Sequence, residues 1–299
     1  MRALFIALLL SLGFGTATAA PPAANSPRAL EAKHAELERK LLDNPFGRPV
    51  HLDSSETAKT VTGDAYAVLA YPFAKVGPAL ADPANWCEIL LLPFNTKQCV
   101  ARAGEGGVLL DVRIGRKNED SAEQAYPVAF RYRVAANADD YLRVNLQADE
   151  GPISTRDYRI VLEATPLDAK RTFLHLGYAY GFGFSGRLAM QTYLSTIGAG
   201  KVGFTVLDKA ADGEPRHVGG MRGVVERNTM RYYLAIEAFL GALGAPPAQR
   251  TEKAARDWFA ATERYPRQLR EMEESQYLAM KRKEYARQAQ AARAAAPGT

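Results

Sequence analysis

The 299 residues carry 38 Lys and Arg against 33 Asp and Glu, with 47% hydrophobic, 9% aromatic and 24% charged residues, two cysteines and four histidines. This composition excludes a disordered tail, a collagen-like or low-complexity chain and a disulfide-dense small scaffold. A net charge of +5 over this length gives no reason to expect nucleic acid as a partner.

The first segment addresses the chain. Arg2, the apolar run from Ala3 to Leu12, then Gly13, Gly15 and Ala17-Thr18-Ala19 have the order of a secretory signal peptide. Cleavage is expected after Ala19, giving a periplasmic or secreted product. Loss of Arg2 and no acid changes +5 to +4. Its apolar core is shorter than the ~20 residues of a spanning helix.

Residues 20–59 are predicted to be a helix and a linker. Ser26-Pro27 supplies an N-cap and a first-turn proline. Leu30, Leu37 and Leu41 follow at helical spacing, and Asn44-Pro45-Phe46-Gly47-Arg48-Pro49 breaks the pattern. From Val61 the period becomes two, giving a strand to Ala70. Short helices are expected at Pro72-Phe73 to Leu80 and at Pro83 to Trp86. Cys87 and Cys99, twelve residues apart, are expected to form a disulfide contributing about 3 kcal/mol. Without a histidine pair or a second CxxC, they do not make a zinc site, and their spacing is not that of a redox CxxC.

Six alternating segments follow, 99–103, 108–116, 126–136, 141–148, 156–165 and 172–183, separated by turn signals short enough for an antiparallel meander. Val128, Phe130 and Tyr132 oppose Arg131 and Arg133. Leu142, Val144 and Leu146 oppose Arg143, Asn145 and Gln147, and Tyr158, Ile160 and Leu162 oppose Asp157, Arg159 and Glu163. One face is therefore expected to be wet and the other covered. Leu174, Leu176, Tyr178, Tyr180 and Phe182 join the covered face.

Residues 185–200 read as a helix or lid, and 202–207 with 217–225 as a strand pair. Asn228 reads as the N-cap of a helix over 229–240 whose apolar face carries Tyr232, Ile236, Phe239, Leu240 and Leu243, ending at Gly244 and Pro246. The tail, 246–299, is charged and helical, with Trp258, Tyr265, Leu269, Met272 and Ala279 on a narrow seam. Its run Lys281-Arg282-Lys283 reads as a solvated helix face. Docking on an anionic membrane surface or a protein partner is its second reading.

The strand with Ala70-Tyr71-Pro72-Phe73, the segment to Leu80-Ala81-Asp82-Pro83, Trp86, the long meander and one long apolar-faced helix together resemble the START-like, or SRPBCC, helix-grip superfamily. The resemblance spans residues 60–244, the ligand-binding domain being set at 60–245. It implies an α+β fold in which a curved antiparallel sheet grips the last helix around a cavity for a lipid, sterol, polyketide or other apolar molecule. Helical extensions at both ends and the insert at 184–220 depart from it.

The residues point the same way without the resemblance. A half-covered curved sheet rich in inward Tyr and Phe forms a site for an apolar small molecule or lipid. The candidates are Phe130, Tyr132, Tyr158, Tyr178 and Tyr180 from the sheet and Met230, Tyr233 and Glu237 from the helix. Glu237 must reach solvent, meet a cation such as Arg222 or Arg231, or contact ligand, because burying it alone is costly. The histidines at 34, 51, 175 and 217 form no HExxH or HxxxH spacing and no recognisable triad motif, and His175 is expected to be structural. The glycines at 181–186 lack the lysine of a phosphate loop. No catalytic residue, metal or cofactor is predicted. A cyclase or dehydratase using Glu237 and tyrosine donors is the alternative function, and an interaction module working through the helical ends is a third.

Overall fold

The computed structural model describes residues 25–104, 107–115, 122–183, 186, 188 and 200–295. Helix α1, Pro27–Leu42, starts where the sequence places it: the Ser26 hydroxyl accepts the Ala29 N–H at 3.2 Å, and Leu30, Leu37 and Leu41 are buried. Strand β1, Val50–Glu56, occupies part of the expected linker and pairs with β2, Thr60–Leu69. Only Val50 and Leu52 of β1 are buried. Its order comes from the ladder with β2, and its polar half leaves no alternation for sequence to show.

Two short helices follow, α2 (Phe73–Leu80) and α3 (Pro83–Leu91), the second capped by Asp82. The meander is β3 (Thr96–Gly104), β4 (Gly107–Ile114), β5 (Tyr126–Ala138), β6 (Tyr141–Glu150), β7 (Thr155–Pro166) and β8 (Thr172–Phe182). The sheet runs β1-β2-β8-β7-β6-β5-β4-β3, antiparallel throughout. Strands β9 (Val206–Lys209) and β10 (Pro215–His217) form a separate exposed hairpin.

Helix α4 runs from Gly220 to Ala242, with Gly219 as its cap. The strand expected over 217–225 is therefore strand only to His217, and Asn228 lies inside the helix rather than at its start. Tertiary contacts override the β-branched run at Val224-Val225. Glu226 is fully buried and accepts the backbone N–H of Thr205 at 2.9 Å, the Thr205 hydroxyl at 2.6 Å and the Ser54 hydroxyl. Helices α5 (Pro247–Glu263), α6 (Pro266–Leu269) and α7 (Glu274–Ala295) complete the chain. With eight strands in one antiparallel sheet and seven helices among the described residues, the fold is α+β.

The sheet closes on α4, which packs against β1, β2 and β8 on one side and against α5 on another. Gly63 permits the close approach. A β-carbon there would lie 2.4 Å from the Thr229 hydroxyl. The inner face buries Leu110, Val128, Leu146, Ile160 and Leu176 against α2–α5.

The outer face is not wholly wet. Helix α1 lies over one end of it, where Leu30, Leu37 and Leu41 pack with Tyr141 and Phe173 in a second core. Beneath α1, His175 sits between Asp64 (2.8 Å) and Glu163 (3.0 Å), stacks on Tyr66 at 4.5 Å between centroids, and shares Glu163 with the Tyr141 hydroxyl.

The disulfide Cys87–Cys99 ties α3 to β3. Helix α7 packs on that junction. Ala279 is exposed, and Tyr277 and Leu278 form the seam in its place. Lys281 is not on a solvated face. It is 1% exposed and donates to the carbonyls of Leu91 (2.6 Å) and Pro93 (2.7 Å) and to Glu284 (2.7 Å), which also holds buried Lys97 at 3.3 Å. The curl of the chain between α3 and β3 turns backbone carbonyls inward, and Lys281 and the Tyr277 hydroxyl from α7, with Lys97 of β3, donate to them.

Candidate functional site

Four of the predicted residues meet where β7 and β8 face α4. The rings of Tyr158 and Tyr180 stack at 5.3 Å, Tyr178 lies 6.2 Å from Tyr158 and 5.8 Å from Tyr180, and Phe130 meets Tyr158 edge-on at 6.3 Å. Period-two alternation aims these side chains inward. The position of Tyr158 also depends on a bulge between Arg156 and Arg159. Ile153, Ser154 and Asp157 beside it hold left-handed backbone at φ 58°, 56° and 54°. Such conformations in non-glycine residues cost about 1–3 kcal/mol each and cluster at functional sites. Gly151 leaves room for the Tyr158 ring, since a β-carbon there would lie 2.2 Å from it.

Helix α4 closes the cluster with Tyr232, 5.4 Å from Tyr178, and with Asn228, whose side chain lies beside the Tyr178 hydroxyl. The Tyr158 hydroxyl shares a 2.7 Å hydrogen bond with Thr155. The Tyr180 hydroxyl is buried and has no hydrogen-bond partner. Burial pushes the Tyr158 phenol up to about 12 and raises those of Tyr178, Tyr180 and Tyr232, so all four are neutral donors at physiological pH.

The other four candidates lie elsewhere. The Tyr132 hydroxyl donates to the Ala81 carbonyl at 2.8 Å and closes the end of α2. Met230, Tyr233 and Glu237 share the sector of α4 that also carries Glu226, about 100–160° around the axis from Tyr232. That sector faces the β1 edge and the segment at 203–205. Glu237 is ion-paired with Arg48, which the sequence reading placed in the linker, and not with Arg222 or Arg231. Arg222 bonds Ser54 and approaches Glu226, while Arg231 holds Glu271 at 2.5 Å. The Tyr233 hydroxyl lies beside the Arg48–Glu237 pair without a well-formed hydrogen bond. Met230 is fully buried. The expected lid at 185–200 lies outside the described residues except at 186, 188 and 200.

No protein-family model and no curated protein sequence matches the chain. Solved structures similar to it include a truncated norcoclaurine synthase from Thalictrum flavum, with 12% identity, 48% of this chain and 91% of that one covered, and a TM-score of 0.34. The ZhuI aromatase/cyclase from Streptomyces sp. R1128 gives 16% identity, 48% and 86% coverage and a TM-score of 0.31. A conserved protein from Geobacillus kaustophilus gives 13% identity, 60% and 95% coverage and a TM-score of 0.35.

The sequence reading did not place Tyr232 and Asn228 in the site. Both are visible in the sequence as an i, i+4 pair, and pairs at that spacing share a helix face. Reading Asn228 as a cap removed it from that face. Among the described residues, no group of three or more His, Cys, Asp or Glu is arranged to hold a metal ion.

Proposed function

We propose that this chain is an exported binding protein of the START-like type that holds an apolar or aromatic small molecule between β7–β8 and α4. The observation that carries the reading is the Tyr180 hydroxyl, a buried donor without a partner inside a ring of aromatic side chains. An unsatisfied buried hydroxyl costs about 1–3 kcal/mol, and a polar atom on an otherwise apolar guest would relieve it. The rings of the site touch one another, so the guest enters by parting them. The disulfide supports passage through an oxidising compartment, in keeping with a cleaved signal peptide and a periplasmic or secreted product.

Binding is better supported than turnover. A cyclase or dehydratase in this site has neutral tyrosine donors, but Glu237, the acid predicted for it, is held by Arg48 on another sector of α4. The test is saturable binding of a neutral fluorescent probe such as N-phenyl-1-naphthylamine to residues 20–299. Replacing Tyr178 by Arg should weaken binding at least tenfold while circular dichroism stays native. Equal binding by a folded Tyr178→Arg variant would remove the site from this cluster.

A further inference from the structure

The opposite face of the sheet carries a separate cluster that the aromatic site does not use. All six cations of β4–β7 are arginines: Arg113, Arg131, Arg133, Arg143, Arg156 and Arg159. Three of them surround Asn145. Arg133 stands directly across from it on β5, Arg143 precedes it by two residues on β6, and Arg159 on β7 faces Gln147, the next outward residue of β6. Side chains directly opposite in such a ladder lie about 5 Å apart at Cβ, and diagonal ones about 7–8 Å. Three arginines therefore flank one side-chain amide on this face, each an adjacent or diagonal neighbour of Asn145.

Their partners are incomplete. Arg131 is held by Asp149 through two bonds of 2.8 and 2.6 Å, and Arg102 on β3 is held by Asp111. Among the described residues, Arg133, Arg143 and Arg159 have no carboxylate at ion-pair distance. Glu163, across from Arg143, is engaged by His175 and Tyr141. The Nε of Arg143 and the side-chain oxygen of Asn145 are buried atoms without hydrogen-bond partners. The amide of Asn145 can present either end by rotation. Beside Asn145 a recess of about 250 Å³ opens between β4, β5 and β6, lined by Val108, Leu109, Arg131, Arg133, Asn145 and Gln147 among others, with Arg143 and Arg159 outside its lining on the β6–β7 side.

We infer that this arginine face around Asn145 binds a small soluble oxyanion of the phosphate type, as free phosphate or a phosphate monoester. Guanidinium forks match phosphate oxygens in pairs, which a lysine ammonium does not, and the strands use arginine alone. The recess is open to water, and Leu109 is the single partly exposed large apolar side chain in its lining on that face. Tyr126 and Val134, the exposed large apolar residues of β5, fall on the opposite parity from Arg131 and Arg133. The expected ligand is thus a dissolved anion and not a membrane surface.

Titration of the ¹⁵N-labelled full chain with inorganic phosphate at constant ionic strength tests this. Saturable shifts are expected at the Asn145 side-chain amide and in the backbone near 131–133, 143–147 and 159. Arg133→Ala and Arg159→Ala should each weaken binding about tenfold, the size of one lost charge-assisted hydrogen bond. Arg102→Ala, whose partner is Asp111, should leave binding unchanged. Shifts that fail to saturate, or that persist with equal affinity in the Arg133→Ala/Arg159→Ala double variant, would overturn the site. Binding to vesicles of anionic phospholipid with no response to free phosphate would overturn the soluble ligand.

Discussion

Tyr180 is the residue on which the proposed ligand site turns. Its buried hydroxyl has no hydrogen-bond partner, so Tyr180→Phe should stabilise the protein without added ligand by about 1 kcal/mol in urea denaturation. The same change should weaken binding of any guest that accepts its hydrogen bond. Loss of stability on this substitution would mean that the hydroxyl already has a partner.

His175 makes a second residue-scale prediction. Burial opposes its charge, but hydrogen bonds to Asp64 and Glu163 outweigh burial and raise its pKa above the ordinary 6.5. For Glu163, burial is outweighed by the hydrogen bonds from His175 and Tyr141, and its pKa falls below the ordinary 4.5. The histidine's contribution is fully present below pH 6.5 and is lost as pH rises through its raised value. The glutamate's is present above pH 4.5 and is lost as pH falls through its lowered value. Thermal melts should therefore show higher stability at pH 6 than at pH 8.5, with a smaller difference in His175→Gln. An unchanged difference would place the pH dependence elsewhere. Strand parity alone identified the inward Tyr158, Tyr178 and Tyr180. It could not identify the partner of Glu237, which is Arg48, 189 residues away in the chain.

At the scale of elements, α4 shows why helix sectors were harder to read than strand faces. It is buried by the sheet, by the β1 edge and by α5. A helix apolar on most sides carries no sequence mark of which side faces which neighbour. Met230 and Tyr233 were therefore assigned to the site from hydrophobicity that serves other contacts. The sheet-facing sector is marked instead by Gly63. Gly63→Ala should cost about 1–3 kcal/mol through overpacking against Thr229. The double variant with Thr229→Ala should recover part of that cost, whereas additive losses would show that the two do not touch.

The tail gives the converse lesson, because a basic run that reads as surface contains a buried cation. Lys281 and Lys97 share Glu284, and burial pushes the Lys281 ammonium down to about 8 despite the neighbouring carboxylate. Glu284→Gln would remove the carboxylate that two buried ammonium groups share and should destabilise by about 3–5 kcal/mol in urea denaturation. A cost below about 1 kcal/mol would mean that α7 is not locked in place by this cluster.

Over the whole molecule, the order of strands and helices was legible because turn signals and alternation agree from β2 to β8. The added layer was not. Helix α1 covers one end of the outer face through Tyr66, Tyr141 and Phe173, and an amphipathic helix does not state which sheet face receives it. The result is a sheet with an aromatic inner site, a part of its outer face roofed by α1 and an arginine-lined remainder. The most direct test of the inner site is native mass spectrometry of residues 20–299 exported into a bacterial periplasm, followed by denaturation and identification of any released compound. A stoichiometric apolar or aromatic molecule is expected in the released fraction, and is expected to be absent from the Tyr178→Arg variant. A folded, disulfide-bonded protein that carries no such molecule and takes up none from a lipid extract would contradict the proposed site.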